Sequence, residues 1–196
     1  MQRKFLLLAS LSLAAALAVA LALPAKPASA FTPWGAVYDA ARDERSVGDI
    51  TADKKISTTI KSALVNKDGT LGLAVKVYCY QRKVTLLGQL GDEKFKDFAV
   101  ATAKKTKGVK GVSAHWEAPG KSDTTAADVE IAAKIRTALV ADKEISATQI
   151  EQEVFGGKVY LVGMVRSQKD ASRAVAHARA VKGVTQVVSL LIPSRK

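Results

Sequence analysis

Apolar residues recur along this chain with two alternating periods. Ile56, Ile60, Ala63 and Leu64 share one face of a 3.6-residue repeat, the pattern of an amphipathic helix. Val75, Val77 and Cys79 then alternate with Lys76, Tyr78 and Tyr80, the period of a strand with one buried side. Gln81-Arg82 reads as a turn, and Val84 and Leu86 face inward again until Gly88 ends the second strand. A second helix is predicted from Asp92, a capping residue, with Phe95, Phe98, Ala99 and Ala103 toward the core. Gly108 stops it, and a last strand runs from Val112 to Glu117.

The whole series returns at a constant offset of 75 residues. Ile60-Lys-Ser-Ala-Leu-Val becomes Ile135-Arg-Thr-Ala-Leu-Val, Lys83-Val-Thr-Leu-Leu-Gly becomes Lys158-Val-Tyr-Leu-Val-Gly, and Lys107-Gly-Val becomes Lys182-Gly-Val. Ile131, Ile135, Ala138 and Leu139 form the helical stripe of the second copy, and Ala171, Ala174, Val175 and Ala178 that of its second helix, which starts at Ser167. Gly156-Gly157 makes its hairpin turn, because glycine accepts positive φ at low cost. Thr51 or Asp53, and Thr125 or Asp128, are the candidate caps of the two first helices. The fold class is α+β: two tandem modules, each α-β-β-α-β. Each builds a three-stranded mixed sheet through a right-handed crossover, with both helices on one face. The divisions expected are a leader at 1–30, a helical segment at 31–50, module 1 at 51–117, a linker at 118–127 and module 2 at 128–193. In the helical segment Trp34, Val37, Tyr38 and Ala41 have helical spacing, and Arg45-Ser-Val-Gly48 closes it.

A unit this small buries only about 60% of its unfolded surface and is marginal alone. The outer sheet faces suggest a remedy. In copy one the last strand turns Ser113, His115 and Glu117 outward. In copy two it turns out Val188, Leu190 and Ile192, joined by Tyr160 and Val162. A sheet apolar on both sides has to be covered. This interaction face is expected to dock on the other module, on the N-terminal helix or on a second subunit.

The ends and the charge set the compartment and the partners. Arg3 and Lys4, an apolar run from Phe5 to Leu23, and Ala28-Ser-Ala30 compose a secretory leader, cleaved after Ala30. No cysteine lies near that cut, so the exported chain is expected in the periplasm without lipidation. Removing Arg3, Lys4 and Lys26 takes the net charge from +12 to +9. Outside the cytoplasm the abundant anions are phospholipid headgroups and acidic envelope polymers, not nucleic acid. Cys79 is the one cysteine, so the chain forms no internal disulfide, and its place in the alternation makes it a small core residue.

The glycines Gly88 and Gly163 after each Lys-Val-x-Leu strand, and the Lys-Gly-Val after each second helix, resemble the BON-domain family of bacterial envelope proteins. The likeness covers both repeats. Asp43-Glu-Arg-Ser-Val-Gly48 is also similar to the segment before the first module in dual-BON members of that family. Those members include an outer-membrane-integrity lipoprotein that binds anionic phospholipid and an osmotically inducible periplasmic protein. The resemblance implies a lipid contact on the first helix of module 2, where Val129, Glu130, Ala133, Lys134 and Thr137 face out. Two departures accompany it. The chain lacks the lipid-modified cysteine, and that helix has no aromatic residue, while Glu130 and Lys134 are spaced to pair.

Basic residues gather near the ends of the second helices: Lys104, Lys105, Lys107 and Lys110 in copy one, Arg173, Arg179 and Lys182 in copy two. They complement helix dipoles, at about 0.3–1 kcal/mol each. They also form a polybasic surface, worth about 1 kcal/mol per charge beside an anionic bilayer. Gly120-Lys-Ser lacks the first glycine of a phosphate-binding loop, since position 115 is His. Asn66-Lys-Asp-Gly-Thr lacks the closing glutamate of a calcium loop. Gly108-Val-Lys-Gly111 matches the G-x-x-G of RNA-binding KH modules, but copy two reads Gly183-Val-Thr-Gln and the leader exports the chain. His115 and His177 have no evident partner, and no paired acids, metal-ligand spacing or nucleophile motif is present. The expectation is a non-enzymatic periplasmic binding protein without cofactor or metal. It would associate with anionic phospholipid, or with an envelope protein, and support envelope integrity under stress. The alternative is a soluble osmotic or envelope stress-response protein acting through protein–protein contacts on the apolar sheet face.

Overall fold

The computed structural model describes residues 46–120 and 124–194. The leader, the segment 31–45 with Trp34, Val37, Tyr38 and Ala41, and linker positions 121–123 lie outside the described residues. The first helix, α1, spans Val47–Lys67 and begins earlier than Thr51 or Asp53. Ser46 is its cap: the Asp49 amide donates to Ser46 Oγ at 3.1 Å, and Asp49 adds an acid to the first turn. Ser46-Val-Gly48 therefore opens a helix and does not close one. Asp68 ends α1 and at once caps a short helix, α2 (Gly69–Ala74), accepting from the Leu71 amide at 2.8 Å. One and a half turns are too few to show an apolar period, so the sequence reading missed α2.

Strand β1 (Lys76–Tyr80) pairs antiparallel with β2 (Lys83–Gln89), and Tyr80 opposite Lys83 leaves Gln81-Arg82 as a two-residue turn. Helix α3 (Glu93–Lys105), capped by Asp92 through the Phe95 amide at 2.8 Å, crosses back to β3 (Gly111–Glu117), which lies parallel to β2. Module 2 repeats the plan. It comprises α4 (Thr124–Ala141), a 3-10 turn (Ala147–Gln149), β4 (Ile150–Phe155), β5 (Lys158–Val165), α5 (Gln168–Arg179) and β6 (Gln186–Pro193). Helix α4 opens at Thr124, inside the stretch read as linker. The sheet orders are β1-β2-β3 and β4-β5-β6, each antiparallel on one side and parallel on the other.

Each module has its own core. Ile60, Leu64, Val75 and Leu86 are fully buried with Ala99 and Ala103 in module 1; Ile135, Leu139, Ile150, Val159 and Leu161 are buried with Ala174 and Ala178 in module 2. Burying each large aliphatic chain stabilises by about 1.5–3 kcal/mol. The alanines of α3 and α5 let those helices lie close to the sheet. Gly163 serves the same closeness: at φ +143° an added Cβ would stand 1.9 Å from the Gln149 carbonyl oxygen.

Asp53 and Asp128 do not cap helices. Each reaches from the first helix of its module to the hairpin turn. Asp53 accepts from the Gln81 amide at 2.9 Å and the Arg82 amide at 2.7 Å. The Cys79 thiol donates to it as well, at 3.4 Å. Asp128 accepts from Gly156 and Gly157 at 2.8 and 2.9 Å. The need is greater in module 1, where Gln81 and Arg82 hold φ +52° and +63° without being glycine. Left-handed backbone at a non-glycine residue costs on the order of 1 kcal/mol and persists only when its surroundings fix it. A second shared device is a cation under the loop before the first strand. Lys61 Nζ donates to the carbonyls of Gly72, Leu73 and Val75, and the Arg136 guanidinium donates to those of Ala147 and Ile150.

Asp53→Ala removes three hydrogen bonds, two from amides and one from a thiol, at a site only 2% exposed. It is expected to destabilise module 1 by about 3 kcal/mol, and Asp128→Ala, half-buried over a glycine turn, to cost module 2 less. Hydrogen exchange of the Gln81 and Arg82 amides, measured beside those of Gly156 and Gly157, checks the ranking.

Candidate functional site

The outer sheet faces of the two modules meet. Leu87 on β2, Tyr160 and Val162 on β5 are 0, 2 and 1% exposed and form a cluster with Tyr78, Tyr80, Phe155, Val188 and Leu190. Ile192, at the far end of β6, is half-buried and outside that cluster. Tyr160 stacks at an angle on His115 with ring centres 5.6 Å apart, so His115 does not sit on an open face. Polar groups close the rim. Tyr78 Oη donates to Glu153 Oε1 at 2.5 Å, with Lys76 3.6 Å from the same oxygen. Lys158 Nζ donates to Glu117 Oε1 at 2.8 Å, and Tyr160 Oη donates to it too. Burial alone would push the Glu117 carboxyl up, but the Lys158 and Tyr160 hydrogen bonds outweigh it and hold Glu117 below the ordinary carboxylate value. Lys158 is held up by its bond to Glu117. Burial, then the hydrogen bond to Glu153, pushes the Tyr78 phenol up. Glu117, read from the sequence as an outward strand residue, and Glu153 thus tie one module to the other.

His177 also has a partner. Its Nε2 lies 2.7 Å from Asp142 Oδ2, and Arg173 holds both oxygens of that carboxylate, with Nη2 at 2.9 Å from each. Arg173 therefore braces the end of α4 to α5 and is not a free cation. The hydrogen bond to His177 is the first cause that lowers the Asp142 carboxyl to about 2; the Glu144 amide and Arg173 add to it.

With the apolar centre of the two sheet faces covered, the most open surfaces belong to helices and loops. On α4, Val129, Glu130, Ala133, Lys134 and Thr137 all face solvent, and Val129 is 64% exposed. Lys134 pairs with Glu130 at 2.5 Å. Val140, 61% exposed, falls on the same helical stripe as Val129 and Ala133, three turns along. The sequence reading stopped at Thr137 and missed it, although the i, i+4, i+11 spacing was there to be counted. Lys104, Lys105, Lys107 and Lys110 stand exposed at the end of α3 and in the following loop, as do Arg179 and Lys182 after α5. The charge is unequally shared. Residues 46–120 carry 13 Lys and Arg against 7 Asp and Glu; residues 124–194 carry 9 against 7. Among the described residues no group of three His, Cys, Asp or Glu is placed to hold a metal ion.

The model of one family, the BON domain, matches residues 52–116 and 127–192. The chain belongs to the BON-domain family. It is similar to osmotically-inducible protein Y of Escherichia coli (strain K12), 32% identical over 145 residues that cover 72% of each chain. It is also similar to the outer membrane lipoprotein DolP of Haemophilus influenzae, at 27% identity over 76% of this chain and 79% of that one. A 21 kDa hemolysin of Actinobacillus pleuropneumoniae is 27% identical over 76% of this chain and 78% of its own. Each of the two BON domains matched here contains one of the buried cores described above.

Two outcomes test this geometry. Val162→Asp would put a carboxylate against Leu87 in the interface of the BON domains. It is expected to lower the melting temperature and to split one cooperative transition into two, read by calorimetry. Asp142 has a folded pKa of about 2 against an ordinary 3.8. A depressed carboxylate pKa gives stability that is fully present above the ordinary value and lost as pH falls through the folded one. Asp142→Asn should therefore flatten the loss of stability between about pH 4 and pH 2, followed by urea titration at each pH.

Proposed function

We propose that this chain is an envelope protein that holds reversibly to anionic phospholipid surfaces and supports the envelope under stress. The observation that carries the reading is the exposed stripe of α4, with Val129, Ala133 and Val140 in line beside Lys134, on a chain whose net charge of +12 falls only to +9 without the leader. A helix lying in the headgroup region needs an apolar stripe to insert and cations to meet lipid charge. The stripe is narrow and aliphatic, so the contact is shallow and easily reversed. Lysines at the ends of α3 and α5 add attraction that is long-ranged at low salt and screened at high salt. The leader read in residues 1–30, and similarity to a protein named as osmotically inducible and to another named as an outer membrane lipoprotein, support an action in the envelope, with the periplasm as the compartment proposed.

The alternative, a stress protein acting through protein contacts on the module 2 sheet, needs that face to be open. Tyr160 and Val162 are 2 and 1% exposed, covered from the module 1 side by Leu87 and Tyr78. The membrane reading keeps its surface, and the alternative has lost most of its own.

Co-sedimentation with vesicles tests the proposal. Binding is expected with phosphatidylglycerol in the vesicle, not with phosphatidylcholine alone, and should weaken as salt rises. Val129→Asp combined with Val140→Asp should lower vesicle affinity by about tenfold, the loss from about one buried aliphatic side chain. Absence of binding to phosphatidylglycerol vesicles at low salt defeats the reading.

A further inference from the structure

Module 1 carries a cavity with three cations in its lining. It is about 410 Å³ and lies where α1, the β1–β2 turn and the α3–β3 loop converge. Lys55, Arg82 and Lys107 line it together with Thr59 and Thr106. Ile56, only 5% exposed, is its apolar floor, and Gly108, at φ +93°, carries the loop across that floor. No carboxylate lines the cavity. Asp53, next in sequence to Ala52 of the lining, has its oxygens engaged by the turn amides of Gln81 and Arg82. Among the described residues, Lys55, Arg82 and Lys107 form no ion pair. Three exposed cations lining one cavity without an acid among them favour an anion there.

The comparison within the chain sharpens the point. At the 75-residue offset Lys55 becomes Glu130, Arg82 becomes Gly157 and Thr106 becomes Val181, whereas Lys107 stays as Lys182. A side chain at position 157 would meet the Gly183 carbonyl oxygen at 2.6 Å, so module 2 has no room for an arginine there. Thr59 becomes Lys134, which pairs with Glu130, so the equivalent positions of module 2 set Lys134 and Lys182 against one acid, whereas those of module 1 hold three cations and no acid.

We infer that this cavity of module 1 is a binding site for a phosphate-bearing anion. A guanidinium gives the planar two-pronged donor that phosphate oxygens match, and lysine supplies point charge. The Thr59 hydroxyl adds a neutral donor, while that of Thr106 already donates to the Thr102 carbonyl at 2.8 Å. The site is separate from the α4 stripe and does not rest on the membrane reading. Its ligand is a phosphate group, carried either by a free anion or by a lipid headgroup.

The test is amide NMR of the purified protein, titrated with inorganic phosphate and, separately, with monomeric short-chain phosphatidylglycerol, each against sodium chloride at equal ionic strength. Saturable shifts at Arg82, Thr106 and Gly108 are expected, with Gly157 and Gly183 unmoved. Saturation by inorganic phosphate assigns a free anion; saturation by the lipid alone assigns a headgroup. Arg82→Gly with Lys55→Glu copies residues that module 2 already accommodates, and should weaken binding by about tenfold or more. Lys107→Ala, on an exposed loop, gives a second reading with less demand on the fold. The Val129→Asp, Val140→Asp variant should titrate unchanged, which separates this site from the membrane contact. The inference is overturned by shifts that chloride reproduces, by equal shifts in module 2, or by undiminished binding in the Arg82 and Lys107 variants.

Discussion

A three-stranded sheet with both helices on one side leaves its other side open, and that open side is the constraint on which this molecule turns. In module 2 the exposed side would present Tyr160, Val162, Val188 and Leu190, a patch too apolar to leave in water. Module 1 supplies the cover with Leu87, Tyr78 and Tyr80, and Glu117 and Glu153 secure the rim. Two units, each marginal in size, thereby complete each other's burial. The cost is that the apolar centre of the two sheet faces, at Leu87, Tyr160 and Val162, is withdrawn from any partner. Interaction falls to helix faces and to the loops at the module ends.

Those remaining surfaces differ in kind. Module 1 holds most of the surplus positive charge of the described residues and a groove between Lys55, Arg82 and Lys107. Module 2 is nearly balanced and presents an aliphatic stripe on α4. Equivalent positions have moved in opposite directions, Lys55 against Glu130 being the plainest case. A cationic surface acts over a Debye length of about 10 Å and is weakened by salt, whereas apolar insertion acts only at contact. Together they suit a surface that is both charged and oily, with neither module sufficient alone.

What the copies retained is as telling as what they changed. Asp53 and Asp128 both fasten a hairpin turn, although one turn is Gln-Arg and the other Gly-Gly. Lys61 and Arg136 both gather carbonyls of the loop before the first strand. These polar fasteners hold the segments that carry no regular period of their own. The offset could have revealed them, since charge type is kept at both pairs. Their spacing within a helix instead suggested caps and solvated faces.

The sequence by itself determined the secondary structure of the repeats, the inward faces, the parallel crossover and the family, because apolar period and glycine placement are local properties that a linear pattern records. It also marked Tyr160, Val162, Val188 and Leu190 as needing cover. It did not show the short helix α2, the true cap at Ser46, or the partners of His177 and Glu117. Helix α2 is too short to show a period and Ser46 caps through a local contact, while the partners of His177 and Glu117 come from segments tens of residues apart, whose approach is set by how cores and sheets pack. Tertiary structure alone decided that the two modules cover each other, that Arg173 is bound to Asp142, and that Lys55, Arg82 and Lys107 line one cavity. A helix, a turn and a loop carry those three cations, and only the fold sets them side by side.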